Sequence, residues 1–266
     1  MLRFTTVGSK QNGDNARWQY VWDHIGEIVP EHVARKLVDD TASEVEATIS
    51  ARRVGWAWSG GKDSQALAVV MDAVGGVKPC VLGMTLELEY PDFLRWVTDY
   101  MPWELSIYDS GHTLGWLAEH QEWLFPQHSS VAAKWFAAIQ HKAQASFVKE
   151  HDLDMIILGR RFADRNNCGD SATGVYTNAS GVTHYSPIRH WTHEQVLAVC
   201  YWYKMPMAPF YGWVNGWVVG TGCWAARQWT GSTANGWREL WQIDPSIVLA
   251  AASCIESAAA FVKEQG

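Results

Sequence analysis

The sequence predicts an α/β protein built on a doubly wound, mainly parallel sheet. The stretch Val54-Gly55-Trp56-Ala57-Trp58 has the β-branched and aromatic character of a short buried strand, and it passes through Ser59-Gly60-Gly61-Lys62-Asp63-Ser64 into a helical segment, Gln65 to Ala73. The run Asp154-Met155-Ile156-Ile157-Leu158-Gly159 is almost continuously apolar, as a parallel strand covered on both faces should be. Between and around these two runs, strand-like and helical periods alternate, which is the pattern of right-handed βαβ units. In such sheets ligands bind beyond the carboxyl ends of the strands. The loop 59–64, Thr85 and the segment after Gly159 are all expected to project there.

Taken in order, residues 1–15 are polar, contain glycines and read as a loose tail. Residues 16–53 read as one or two helices interrupted near Pro30, with Val33, Leu37, Val38, Thr41, Val45 and Ile49 forming a stripe in the second. That stripe suits packing on the core, with an oligomer contact as the second use. After the first strand–turn–helix unit, a strand is expected over 77–86, with Thr85 near its carboxyl end. Pro91 can open a helix through Tyr100, because the first turn tolerates proline. A third strand is expected over 104–108 and helices over 114–125 and 131–150, before the fourth strand at 154–159. Thr192 reads as the N-cap of a helix running through Tyr203. The organisation expected is an N-terminal extension (1–53), a nucleotide-binding domain (54–211) and a Trp-rich C-terminal extension (212–266) packed on it as one unit.

Composition narrows the function classes. The 266 residues are 48% hydrophobic and 18% charged, enough for a sizeable core and against global disorder. A net charge of −7 argues against broad electrostatic binding of nucleic acid. The N-terminus lacks an apolar signal core and no run is long enough for a membrane span, so a cytoplasmic protein with no membrane partner is expected. The five cysteines, at 80, 168, 200, 223 and 254, contain no C-x-x-C, so neither a metal site nor an iron–sulfur cluster nor a disulfide framework is expected.

The chemistry is expected at the glycine loop. Two glycines let the backbone approach a ligand, the amides can face one point, and the helix N-terminus adds partial positive charge. Lys62 adds a full charge on what reads as an exposed turn, and Asp63 and Ser64 can cap the first helical turn. Neither the Walker spacing nor G-x-G-x-x-G occurs. A second signal is Leu158-Gly159-Arg160-Arg161-Phe162-Ala163-Asp164-Arg165, where three guanidinium groups leave a strand end and suit phosphate or sulfate oxygens. A third is Tyr185-Ser186-Pro187-Ile188-Arg189-His190-Trp191-Thr192-His193-Glu194-Gln195-Val196, read as a wall of the site leading into a core helix.

The hexapeptide Ser59-Gly60-Gly61-Lys62-Asp63-Ser64 resembles the PP-loop of the ATP-pyrophosphatases, in the spelling found in 3′-phosphoadenosine-5′-phosphosulfate (PAPS) reductases and the small subunit of bacterial ATP sulfurylase. The arginine segment and the third motif are similar to stretches of the same family, although Ala163-Asp164 replaces its usual Glu/Gln-Ser element. Together the three cover roughly residues 54–211. The resemblance implies a HUP-type fold, that of the adenine nucleotide α-hydrolases, with a five-stranded parallel sheet. It implies an adenine nucleotide, ATP or PAPS, held by Ser59, Gly60, Gly61, Lys62, Asp63, Ser64, Thr85, Gly159, Arg160 and Arg165, with Lys62, Asp63 and Arg161 in catalytic roles. With ATP, Mg²⁺ is expected, the α-phosphate is attacked, pyrophosphate leaves, and sulfur or nitrogen transfer to an acceptor follows. A thiol-dependent reductase and a non-catalytic binding or assembly module are the alternatives.

The chain departs from the reductases in lacking their C-terminal Glu-Cys-Gly-x-His element. Cys254, in the apolar run 247–255, is expected to be buried and inert, which leaves Cys223 as the better candidate for a reactive thiol. His184, His190 and His193 are expected as surface or cap histidines rather than metal ligands, and Asn178-Ala179-Ser180 fits a glycosylation triplet without a secretory signal to support it. The tail tryptophans are expected to anchor a loop-rich core, with a partner surface as their second use.

Overall fold

The computed structural model describes residues 5–8, 14–76 and 78–265. The chain opens with α1 (Asn15–Asp23), α2 (Ile25–Ile28) and α3 (Glu31–Ile49). It continues through β1 (Val54–Ala57), α4 (Lys62–Val74), β2 (Cys80–Met84), α5 (Pro91–Tyr100) and β3 (Leu105–Asp109). Then come α6 (Leu114–Glu119), α7 (Ser129–Phe136), α8 (Lys142–Glu150), β4 (Met155–Ile157), β5 (Val175–Thr177), β6 (Thr183–Tyr185) and α9 (His193–Trp202). The tail holds α10 (Gly216–Val219), α11 (Thr233–Ile243), α12 (Pro245–Ala251) and α13 (Glu256–Gln265).

Six strands form one sheet in the order β3-β2-β1-β4-β6-β5. β1 lies parallel to β2 and β4, with Trp56 opposite Cys80 on one side and Ile157 on the other. β4 is parallel to β6, and β5 returns antiparallel as the edge. The mainly parallel sheet agrees with the sequence, but the five-stranded parallel form implied by the resemblance is replaced by six strands with one reversed edge. β5 and β6 have three residues each, too few for a period to register in the sequence. The order in which strands are added reverses between β1 and β4, so the crevice beyond their carboxyl ends is where a ligand of such a sheet belongs.

The chain divides into two compact units, with β2 and β3 passing from one to the other. The first comprises residues 1–82, 100–106 and 144–208. In it α3 packs on α4 and α9 through Ala34, Val38, Thr41, Ala42 and Val45. This is the expected stripe, rotated so that Val33 is exposed. The loose tail expected at the N-terminus is corrected at Val7, which is fully buried and donates its N–H to Glu194 Oε1 at 2.6 Å; residues 1–4 and 9–13 lie outside the described residues. Thr192 caps α9 as expected, and Gln195 returns the bond to complete a capping box.

The second unit comprises residues 83–99, 107–143 and 209–266. The helix expected over 114–125 stops at Glu119, and the one expected over 131–150 is interrupted by a π-helical turn at Ala137–His141. Gly83 explains the close fit there, since a Cβ on it would stand 2.6 Å from the Ile139 carbonyl oxygen. Trp217, Trp224 and Trp237 are buried, and Trp237 packs edge-on against Phe125 at 4.8 Å, so these tail tryptophans anchor a core. The apolar run 247–255 does not stay helical: α12 ends at Ala251, and Cys254 falls in the following turn, exposed rather than buried.

Candidate nucleotide site

Four residues, 58–61, carry the chain from β1 into α4. Gly60 has φ +69°, a conformation that favours glycine. Gly61 is the N-cap of α4, and no side chain caps that helix. Asp63 and Ser64, expected to cap its first turn, do not do so, because α4 begins earlier, at Lys62. The two serines lace the loop instead. Ser59 N–H donates to Ser64 Oγ (3.1 Å), and Ser64 Oγ–H donates to the Gly61 carbonyl (2.9 Å). Gln65 fixes the base of the loop, accepting from Trp58 Nε1 (2.8 Å) and donating to the Pro206 carbonyl (2.6 Å).

Lys62 is not on an exposed turn. Its side chain is buried, with Nζ 2.6 Å from Asp63 Oδ2 and 5.3 Å from the centre of the Trp18 ring. This is a cation held by a carboxylate and an aromatic face. Asp63 also meets Arg161, whose Nε lies 2.7 Å from Oδ1. Arg161, expected to face the anionic end of a ligand, is fully buried. It pairs with Asp164 (2.7 Å), donates to the Trp191 carbonyl (3.1 Å) and donates to His193 Nδ1 (2.9 Å). The structure therefore gives Arg161 the part of a clamp joining the segment after β4 to the first turn of α4.

His193, expected at the surface or in a cap, belongs to this buried network. A guanidinium only donates, so Nδ1 must accept and the ring is neutral with its proton on Nε2. Burial drives its pKa down from 6.5 to about 4, with Arg161 and Lys62 adding to the effect and Asp164 and Asp63 opposing it. Its ring meets Trp18 edge-on at 4.8 Å, while Nε2 has no hydrogen-bond acceptor among the described residues. Gly159 allows the two loops to close, since a Cβ there would approach the Asp63 carbonyl oxygen to 3.1 Å.

The outer arginines are placed differently. Arg160 Nη1 donates to the Tyr176 hydroxyl (2.8 Å), and Arg165 is exposed with φ +59°. Thr85 lies in the second unit, fully buried. Cys223, expected to be the reactive thiol, is buried, and burial pushes its pKa up to about 12. A thiol of that kind carries no thiolate at neutral pH. Its neighbour Glu89 is buried too, which raises its carboxyl to about 8. His190 is exposed and lies 2.8 Å from the Ser171 carbonyl through Nε2, while His184 stacks on Tyr176.

Sequence reasoning missed Trp18, Asp164 and His193 as members of the site. Asp164 carried a signal, three residues beyond Arg161 on the same turn; Trp18 carried none.

The comparison with protein-family models and with curated proteins returned no match. Solved structures do match. A PAPS reductase from Candida auris, determined as a phosphate complex, is similar over 74% of this chain and 96% of its own, with 15% identity and a TM-score of 0.51. The chain has the fold of the PP-loop ATP-pyrophosphatases. A tRNA thiolase from Methanococcus maripaludis, solved with its 4Fe–4S cluster, is similar over 98% of this chain and 88% of its own, with 13% identity and a TM-score of 0.49. An FMN adenylyltransferase from Candida glabrata matches over 71% of this chain and 63% of its own, with 12% identity and a TM-score of 0.47.

The thiolase corrects one expectation. The exclusion of an iron–sulfur cluster rested on local cysteine spacing, and a similar protein carries such a cluster. Spacing along the chain is blind to ligands that a fold brings together. Among the described residues of this chain, no three His, Cys, Asp or Glu side chains stand together as a metal-holding group. No helix among the described residues is long and apolar enough to cross a membrane.

Proposed function

We propose that the chain is an enzyme that binds an adenine nucleotide with its phosphates over Ser59–Ser64 and cleaves ATP between the α and β phosphates, passing the adenylyl group to an acceptor. The observation that carries this reading is the glycine turn ending at an α4 N-terminus that no side chain caps. Backbone amides and the helix dipole at such an end favour an anion. The PAPS reductase of similar fold was solved as a phosphate complex, which supports an anion as ligand. Lys62 and Asp63 hold the first turn of α4, Arg161 joins it to the segment after β4, and Arg160 and Arg165 supply charge at its rim. These groups would stabilise negative charge building on the transferred phosphoryl group.

Transfer from ATP is preferred over thiol-dependent PAPS reduction because the chain lacks the Glu-Cys-Gly-x-His element that carries the reductases' thiolate. Cys223 is buried, and Cys254 is the one exposed cysteine among the described residues. Two parallel assays separate the readings. Pyrophosphate release from ATP in magnesium-containing buffer, with candidate sulfur and nitrogen acceptors, is expected. Sulfite release from PAPS with a dithiol, lost in Cys254→Ser or Cys223→Ser, would replace this reading with the reductase. Nucleotide binding with neither product would favour a non-catalytic module.

A further inference from the structure

One face of α4 lines a cleft of about 440 Å³. Trp56, Met71, Asp72, Tyr100, Trp103 and Met205 are among the residues that line it. Trp103 is 79% exposed and Tyr100 51%, although large aromatic side chains are normally buried. Trp103 makes no aromatic contact among the described residues. The Asp72 carboxylate joins no ion pair and accepts no hydrogen bond among them.

Partial burial raises the Asp72 pKa above its ordinary value. Lys78, the basic residue lining the cleft, spends its ammonium on the Gly75 and Gly76 carbonyls at 2.7 and 3.4 Å. Those carbonyls cap the carboxyl end of α4, where the helix dipole places partial negative charge.

We propose that this cleft is a binding site for a small organic cation with an apolar body, its charged head against Asp72 and its body over Trp103 and Tyr100. Three features converge on that chemistry: an unpaired carboxylate, aromatic faces whose quadrupole attracts cations, and the negative end of a helix. An anion would meet Asp72 and the carbonyl end, and a neutral ligand would leave the carboxylate unanswered.

The test is calorimetric titration of the full chain with choline, with n-butylammonium, and with 3,3-dimethylbutan-1-ol, the uncharged isostere of choline. At least one cation should bind, with the isostere tenfold weaker or worse. Asp72→Asn and Trp103→Ala should each weaken that cation at least tenfold, while thermal unfolding and nucleotide binding stay unchanged. Equal affinity for choline and its isostere would reduce the cleft to an apolar contact and overturn the proposal. Binding of neither cation, or cation binding indifferent to both substitutions, would overturn it as well.

Discussion

Lowering the pH should destabilise the protein through His193 in particular. The imidazole accepts from Arg161 and is held neutral, with its pKa lowered from 6.5 to about 4 by burial first and by Arg161 and Lys62 next. The unfolded chain therefore takes up a proton in a range where the folded chain does not. Stability from this group is complete above about pH 6.5 and is lost as the pH falls towards 4, because the unfolded state then binds more protons. At about 1.36 kcal/mol per pH unit, the span from 6.5 to about 4 corresponds to about 3 kcal/mol. His193 is only 4% exposed, so solvent screening removes little of this. The assay is urea unfolding at steps from pH 7.5 to pH 4.5, on the wild type and on His193→Asn. Asparagine keeps an acceptor near the Nδ1 position and cannot titrate. It should be less stable at pH 7.5 for want of the Trp18 contact, yet its stability should fall less steeply below pH 6.5. Parallel curves for the two proteins would refute the argument, since His193 is the one titratable group in which they differ.

Other perturbations probe the same framework. Lys62→Met keeps the buried stem and removes the ammonium. It should weaken ATP binding at least tenfold in titration calorimetry, since the buried set then loses a cation that holds the first turn of α4 in place. Gly159→Ala pushes a methyl group against the Asp63 carbonyl at 3.1 Å and should lower nucleotide affinity more than it lowers the unfolding midpoint. Native thiol titration should find one reactive cysteine, and none in Cys254→Ser, because Cys80, Cys168, Cys200 and Cys223 are all buried. Gly216→Ala would bring a Cβ to 1.7 Å from the Phe210 carbonyl oxygen. The expected cost is about 3 kcal/mol, at the upper end for overpacking, read from the urea midpoint.

The elements legible in the sequence are those whose signals are local. The proline opening α5 at Pro91 and the Thr192 cap each depend on residues within one helical turn, and each stands where the sequence places it, while the turn expected over 59–64 is shorter because α4 begins at Lys62. Partners distant in sequence were not legible. Lys62 and Arg161 carry the charge that suits a phosphate, so the sequence assigns them to a ligand. The fold surrounds them with Trp18, Asp164, Trp191 and His193, residues from three separate stretches. Cys223 and Cys254 exchange their expected places for a related reason. Periodicity reads Cys254 as helical, but α12 ends three residues before it, whereas the Gly-rich setting of Cys223 conceals a packed interior.

The buried charges bear on how the loop would hold a phosphate. Lys62 faces Asp63, and Arg161 faces both Asp63 and Asp164, so two cations are balanced by two carboxylates around a neutral histidine. A balanced buried set contributes little net stability, and removing one member leaves an uncompensated charge at a cost of about 3–5 kcal/mol. Such a set fixes geometry more than it supplies field. It holds the first turn of α4 and the segment after β4 in one arrangement, with Gly159 between them. The attraction for an anion then rests on the backbone of the glycine turn, on the α4 N-terminus, and on Arg160 and Arg165 outside the set. Arg160→Ala and Arg165→Ala should accordingly weaken nucleotide binding without disturbing the fold, whereas Arg161→Ala should unfold the site before its effect on the ligand can be read.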